Sequence, residues 1–309
     1  MDWKSKNVLV TGGNGFLGSR LVKILKEKNT KNIVIPDSKK HDLRNMDNCA
    51  SVLKEVDIVF HLAAKVGGIG LNQSKPGELF YDNLMMGVNL MEEARKNKIE
   101  KFISLGTICS YPKFTPIPFQ ENSIWDGYPE ETNAPYGLAK KMLLVQSQAY
   151  RQQYNFQSIT VFPTNLFGPN DNFDEESSHV IPAIIKKVMG AIHNNIDHIS
   201  LWGDGTPTRD FLYVDDAASG IILASEKYSD SKPLNVGSGR EISIKNLAEL
   251  IIKLMNVNLK IFWETDKPNG QPRRCVSIEK AKHEIGFESK ISLEEGLRLT
   301  IDSFLSKNN

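Results

Sequence analysis

Residues 8–18 read Val-Leu-Val-Thr-Gly-Gly-Asn-Gly-Phe-Leu-Gly. The apolar run Val8 to Val10 is strand-like, and Gly12-x-x-Gly15-x-x-Gly18 follows it directly. Phe16, Leu17, Leu21, Ile24 and Leu25 then recur at helical spacing through Lys28. A strand, a glycine turn and a helix in this order are what a dinucleotide site requires. Glycines permit the tight turn and let backbone N–H groups approach a pyrophosphate, and the helix N-terminus favours its negative charge. The expected contacts are Gly12, Asn14, Gly15, Phe16, Leu17 and Gly18.

The alternation continues outward. Ile33 to Ile35 is strand-like and closes on Pro36-Asp37, and Arg44 to Glu55 reads as a helix. Val56 to Phe60 is a buried strand leading into His61-Leu62-Ala63-Ala64. Leu79–Asn97 is amphipathic, Lys101–Leu105 is the next strand, Tyr136–Tyr154 a helix and Ile159–Phe162 a strand. Continuous apolar strands between helices predict an α/β fold, a Rossmann-type doubly wound parallel sheet covered on both faces. Tyr111–Asn133, rich in proline, reads as a long loop of the kind that usually carries function. Beyond Pro163 the segments shorten, with aromatics at Trp202, Phe211 and Trp263, which suggests a smaller, mixed C-terminal substrate lobe. The expected boundaries are 1–164 for the dinucleotide-binding domain, with part of 189–217 returning to its sheet, and 165–309 mainly for the second lobe.

The 309-residue chain is 40% hydrophobic and 24% charged, which excludes disordered and fibrous classes, and its net charge of +1 gives no global attraction to nucleic acid or membrane. An anionic ligand must therefore meet a local site. Three cysteines without a C-x-x-C spacing predict neither a disulfide framework nor a metal site. The polar start and the lack of an apolar run near the ~20 residues of a membrane span lead us to expect a cytoplasmic protein.

At the end of the second strand an acidic residue suits the ribose of NAD. Asp37 stands there and favours NAD, Lys39 and Lys40 follow and could hold the phosphate of NADP, and Asp42-Leu43 could reach the adenine edge. The expected cofactor is NADP(H) or NAD(H). Tyr136 and Lys140 lie one helical turn apart on one face, so that a phenol and an ammonium can meet the same ligand. The cation is expected to lower the pKa of the phenol, and Thr107 to supply a hydroxyl to the same carbonyl.

Together these features resemble the extended short-chain dehydrogenase/reductases, and within them the GDP-L-fucose synthase group. The likeness rests on His61 to Ile69, Thr107-Ile108-Cys109-Ser110-Tyr111-Pro112, Pro163 to Phe173, Ser178-His179-Val180-Ile181-Pro182, Trp202-Gly203-Asp204-Gly205 and Arg209-Asp210-Phe211. It implies epimerisation of a GDP-linked 4-keto sugar at C3 and C5, followed by hydride reduction at C4. Cys109 would abstract the proton alpha to the ketone and His179 return one. Tyr136 would protonate the C4 oxygen, and Lys140 would hold the nicotinamide ribose. Leu62, Ala63, Ala64, Pro163, Asn165 and Leu166 would line the dinucleotide. Asn165, His179, Val180, Lys187, Trp202 and Arg209 would meet the GDP-sugar, and Arg273 the sugar or its phosphates. The likeness also implies a homodimer built on the two long helices.

Three stretches depart from that pattern, the first being Thr107-Ile108-Cys109-Ser110-Tyr111-Pro112, where the family has Ser-Ser-Cys-Ile-Tyr-Pro. Pro36-Asp37-Ser38 stands where arginines usually hold the NADP phosphate, and Gly270-Gln271-Pro272-Arg273-Arg274 replaces a common Gly-x-x-x-Lys. Alternatives to the two-step enzyme are an NAD-dependent 4-epimerase, an enzyme with only one of the two activities, and a non-catalytic dinucleotide sensor.

Overall fold

The computed structural model describes residues 1–174, 177–267 and 269–308. In chain order the elements are β1 (Asn7–Thr11), α1 (Phe16–Glu27), β2 (Asn32–Val34), α2 (Met46–Val52), β3 (Ile58–His61), α3 (Ile69–Ser74), α4 (Pro76–Lys96), β4 (Lys101–Leu105), α5 (Ala134–Tyr154) and β5 (Ser158–Pro163). Then follow β6 (Asn165–Phe167), α6 (Val180–His193), β7 (His198–Trp202), β8 (Thr208–Tyr213), α7 (Val214–Lys227), β9 (Leu234–Val236), β10 (Glu241–Ser243), α8 (Ile244–Leu254), β11 (Lys260–Glu264), β12 (Arg273–Arg274), α9 (Glu279–Ile285) and α10 (Leu293–Asn308).

The main sheet has six parallel strands in the order β2-β1-β3-β4-β5-β9. Successive side chains of a strand point to opposite faces, and here both faces are covered. Val8, Val10, Ile58 and Phe60 pack with Leu21 and Leu25 of α1 and Ile221 of α7. Leu9, Val59 and Phe102 pack with Cys49 of α2, Leu90 and Met91 of α4 and Leu143 of α5. The result is the doubly wound α/β sheet that the apolar runs predict.

The second lobe contains the sheet β10-β8-β12, with β6 also on β8, and the pair β11-β7. Its own core joins Ile184, Ile185 and Val188 of α6 to Leu247 and Ile251 of α8 and Leu297 of α10. Part of 189–217 is expected to return to the main sheet; β7 and β8 pair outside that sheet, while Leu212 and Ala217 reach its core. The return is made by α7, whose Ala217, Ala218 and Ile221 enter the main core, and by β9. The reason lies in burial. β7 alternates between buried and partly exposed positions, as a strand with one covered face does, whereas β9 is buried throughout.

The long loop after β4 is anchored rather than loose. Tyr111, Phe119 and Ile124 form a small core with Phe162 and Val276, and the Tyr111 hydroxyl donates to Asn235 Oδ1 at 2.7 Å. A single 3-10 turn, Ile108–Ser110, starts the loop and lies against the first turn of α5. Ser110 Oγ donates to the Gly137 carbonyl at 2.8 Å. A Cβ on Gly137 would stand 2.3 Å from the Cys109 carbonyl oxygen, a backbone atom that cannot swing away.

Gly-to-Ala in a helix interior ordinarily stabilises by about 1 kcal/mol. Gly137→Ala is expected to destabilise instead, by about 1–3 kcal/mol as overpacking does, and to displace Cys109. Thermal unfolding checks the first outcome; an unchanged or raised Tm would contradict it.

Candidate active site

The strand order reverses between β2-β1 and β1-β3, and in open α/β sheets ligands bind beyond the strand ends at such a switch point. Gly12, at φ +69°, lies there, and a Cβ on it would be 3.0 Å from the Ala63 amide nitrogen. A Cβ on Gly18 would be 2.0 Å from the Gly12 carbonyl oxygen. Only glycines allow this cradle. Gly15 caps α1 without a side-chain hydrogen bond, so the first turn keeps its N–H groups for an anion. A dinucleotide pyrophosphate fits these residues.

Next to the cradle, Thr11 Oγ1 bonds His61 Nδ1 at 2.9 Å and accepts from the Ala63 amide at 3.1 Å, which fixes the Leu62–Ala64 turn beside Gly12. His61 is fully buried, and burial first, with Lys140 second, holds its imidazole down to about 3. It is neutral at any working pH.

Asp37 is exposed beyond β2, its carboxylate accepting from the Lys39 amide at 3.0 Å, and Lys39 and Lys40 are exposed beside it. Arg44, the nearby arginine, is occupied by Asp42 at 2.7 Å and Asp82 at 2.8 Å. Leu43 is buried, its side chain in the core with Cys49 and Val52 of α2 and Leu90 and Met91 of α4.

At the other side of the cleft, Tyr136 is buried in the first turn of α5, with Lys140 one turn on. The phenol is raised above its ordinary value by burial, then by the charge of Cys109, with a Thr107 hydrogen bond acting in the opposite direction. The expected lowering by Lys140 does not hold. The reason is that Lys140 is itself buried, and burial pushes its ammonium down to about 8. In the cofactor-free protein Tyr136 is therefore a firmly protonated phenol, the form needed to donate a proton.

Cys109 is partly exposed, on the turn that Gly137 admits against α5. Its Sγ accepts from Arg274 Nη1 at 3.5 Å. Thr107 caps the same turn, its Oγ1 accepting from the Cys109 amide at 3.3 Å. His179 is the residue before α6. Gly68 accepts no side chain because a Cβ would be 2.6 Å from the Ser178 carbonyl oxygen, and its amide donates to Ser177 at 3.1 Å. This contact holds the His179 segment onto the loop after β3. The ring has solvent access yet stands among protein walls that lower its pKa.

Toward the second lobe, Asn165 Nδ2 donates to the Asp210 carbonyl at 2.8 Å, and Pro163 and Leu166 flank it on β5 and β6. Val180 opens α6, Lys187 donates from that helix to Ser200 at 2.6 Å, and Trp202, two residues on, is 47% exposed. An aromatic face with a cation near it is thus open to a base and its phosphates. Arg209 is largely buried, which pushes it down to about 9 with Arg274 as the second cause. Arg273 turns away and pairs with Glu241.

Glu130 and Asn133 were missed by sequence reasoning, and Arg274 and Gln271 were set apart only as part of the departing stretch Gly270 to Arg274, with Arg273 singled out from it. Arg274 is in parallel register with Arg209, and its Nε donates to Gln271 Oε1 at 2.8 Å. Glu130 is buried and accepts from Thr132 Oγ1 at 2.6 Å and Asn133 Nδ2 at 2.7 Å, with Arg274 among the charges that face it. Strand alternation could have flagged Arg274: one of two adjacent arginines on a strand must face the site if the other faces away.

Comparison with known proteins defines the class. Residues 8–237 match the NAD dependent epimerase/dehydratase family, and the chain belongs to that family. It is an enzyme of nicotinamide cofactors and sugar nucleotides. Among its relatives, a GDP-L-fucose synthase of Sinorhizobium fredii is 38% identical over 97% of this chain and 96% of its own length, and a GDP-L-colitose synthase of Yersinia pseudotuberculosis is 33% identical over 98% and 99%. A GDP-L-fucose synthetase of Naegleria fowleri bound to NADP superposes with a TM-score of 0.89 at 29% identity, over 98% of this chain and 95% of that one. Among the described residues no helix is long and apolar enough to cross a membrane, and no cluster of side chains suits a metal ion.

A lysine held below its ordinary value destabilises the fold wherever it must be charged. For Lys140 that cost is present in full below about 8, falls as pH rises, and is gone above the ordinary lysine value of about 10.4. Lys140→Met should therefore raise the Tm of the cofactor-free protein at pH 7, and the difference should vanish near pH 10, while catalysis is lost. A lower Tm at pH 7 would contradict the assignment.

Proposed function

We propose that the protein epimerises a GDP-linked 4-keto-6-deoxyhexose at C3 and C5 and then reduces its C4 ketone, using NADPH or NADH. The observation that carries this reading is the meeting of Cys109, bonded to Arg274, with the protonated Tyr136 in one cleft. A 4-epimerase needs the tyrosine but has no use for the cysteine.

In the epimerisation, Cys109 as thiolate takes the proton from the carbon next to the ketone. The C–H bond breaks, an S–H bond forms, and the electron pair moves to the C4 oxygen as an enolate. The hydroxyls of Thr107 and Tyr136 donate to that oxygen. His179 returns a proton to carbon, which inverts the centre when it arrives from the other face. Its imidazole is lowered by the cleft walls, and the negative charges of an arriving diphosphate act to raise it.

The reduced nicotinamide supplies hydride to C4 when bound. Tyr136 gives its proton to the alkoxide, and Lys140, beside it, holds the ribose. The GDP half lies against Asn165, Val180, Lys187, Trp202 and Arg209, where two cations can meet the diphosphate.

Two further assignments belong to this reading. Phe80 and Tyr81 of α4 and Val145 of α5 are exposed, an apolar face suited to pairing with a second copy as a homodimer. The free thiols, with Cys109 among the working groups, suit the reducing cytoplasm.

The test incubates the enzyme with GDP-4-keto-6-deoxymannose and either reduced cofactor. Cofactor oxidation and a product inverted at C3 and C5 are expected. Cys109→Ser should slow inversion by about 10²–10⁴-fold, the usual worth of a general base. No oxidation of either cofactor would overturn the reading.

A further inference from the structure

We propose that Arg274 is the positioning residue that holds the Cys109 sulfur as a thiolate aimed into the cleft, and that the cysteine works as a base through this contact. The inference rests on the reading of Cys109 as the proton-abstracting group and deepens it.

The contact is direct: Arg274 Nη1 to Cys109 Sγ is 3.5 Å. The guanidinium is itself fixed. Arg274 and Gln271 are both buried, Arg274 Nε donates to Gln271 Oε1 at 2.8 Å, and Gln271 Nε2 donates to the Lys113 carbonyl at 3.1 Å. One end of the guanidinium is thus tied into the long loop and the other directed at sulfur.

Beside the apolar cluster on which Cys109 packs, the titratable groups that interact with it are Arg274 from β12, Arg209 from β8 and Tyr136 from α5. Glu130, on the loop, interacts with both arginines. Two guanidiniums and one carboxylate leave one positive charge over in a low-dielectric wall. A buried charge without a partner is costly, and the thiolate is the anion within reach. Burial above all keeps the Tyr136 phenol protonated, and a negative sulfur at Cys109 acts in the same direction.

Arg209 is the weaker candidate for this part. Its Nη1 is bonded to the Thr208 carbonyl at 2.7 Å, and no hydrogen bond runs from it to the sulfur among the described contacts. It is free to meet the substrate. Nor can Arg273 serve, since Glu241 holds it on the opposite side of β12.

Iodoacetamide reports the thiolate without substrate or cofactor. Alkylation of the Cys109 peptide is followed by mass spectrometry across pH, which separates it from the buried Cys49 and Cys275. Arg274→Met should move the midpoint of alkylation upward by about 1–3 pH units, as loss of an adjacent opposite charge does. At fixed neutral pH, deuterium exchange at C3 and C5 should fall about tenfold for each unit moved. Arg274→Lys keeps a charge but loses the planar fork, so its midpoint should rise by less. It also serves as the reading if the methionine variant does not fold.

A midpoint unchanged in both variants overturns the proposal. So does an unchanged midpoint with a raised KM for the GDP-sugar, which would make Arg274 a phosphate ligand. If the midpoint shifts but the wild-type enzyme exchanges no deuterium, the thiolate contact with Arg274 stands, and the work of Cys109 as a base falls with the epimerase reading.

Discussion

The site depends on one close backbone contact, the Cys109 carbonyl against Gly137. At that point a side chain of any size would push the turn after β4 away from α5. With the contact in place, Thr107 and Cys109 on the turn face Tyr136 and Lys140 on the helix. These are residues from segments about 30 apart in the chain, and neither segment could form the site alone. The contact is further secured by Ser110, whose hydroxyl is bonded to the same glycine's carbonyl. Gly87 makes a comparable approach on α4, but there a Cβ would meet the tip of Leu143, a flexible side chain. The two glycines show why the partner atom matters more than the distance.

Electrostatics is local in this protein. A chain of net charge +1 has no field to spend at long range, yet it buries Lys140, Arg274 and most of Arg209 around one cleft. Burial lowers Lys140 to about 8 and Arg209 to about 9, a sign that the fold holds these cations against a solvation cost. Such strain is found where a ligand relieves it, and the anionic diphosphates of a dinucleotide and a sugar nucleotide are of that kind.

Much of the fold was legible because doubly buried strands are written as uninterrupted apolar runs. Val8–Val10 and Val56–Phe60 could hardly be read otherwise. Leu234–Val236 was not found as the returning strand, since three residues carry too little pattern. Within the site, Tyr136 and Lys140 were visible through helical spacing. The burial of Lys140 was not, and burial reversed the expected effect on the phenol. Arg274 was hidden for a different reason. Two adjacent arginines look alike in a sequence, and only the pairing of β12 with β8 decides which one faces Cys109. The burial of Leu43 in the core was equally out of sight, since a single leucine between a strand and a helix carries no pattern of its own.

The central claim is that one cleft carries out proton exchange and hydride transfer with separable groups. Tyr136→Phe, incubated in D2O with GDP-4-keto-6-deoxymannose and reduced cofactor and followed by NMR, tests it most directly. The account predicts deuterium at C3 and C5, taken up more slowly because Thr107 alone then holds the enolate oxygen, while C4 remains a ketone. Reduction at C4 at the wild-type rate, or a sugar that takes up no deuterium, would contradict it.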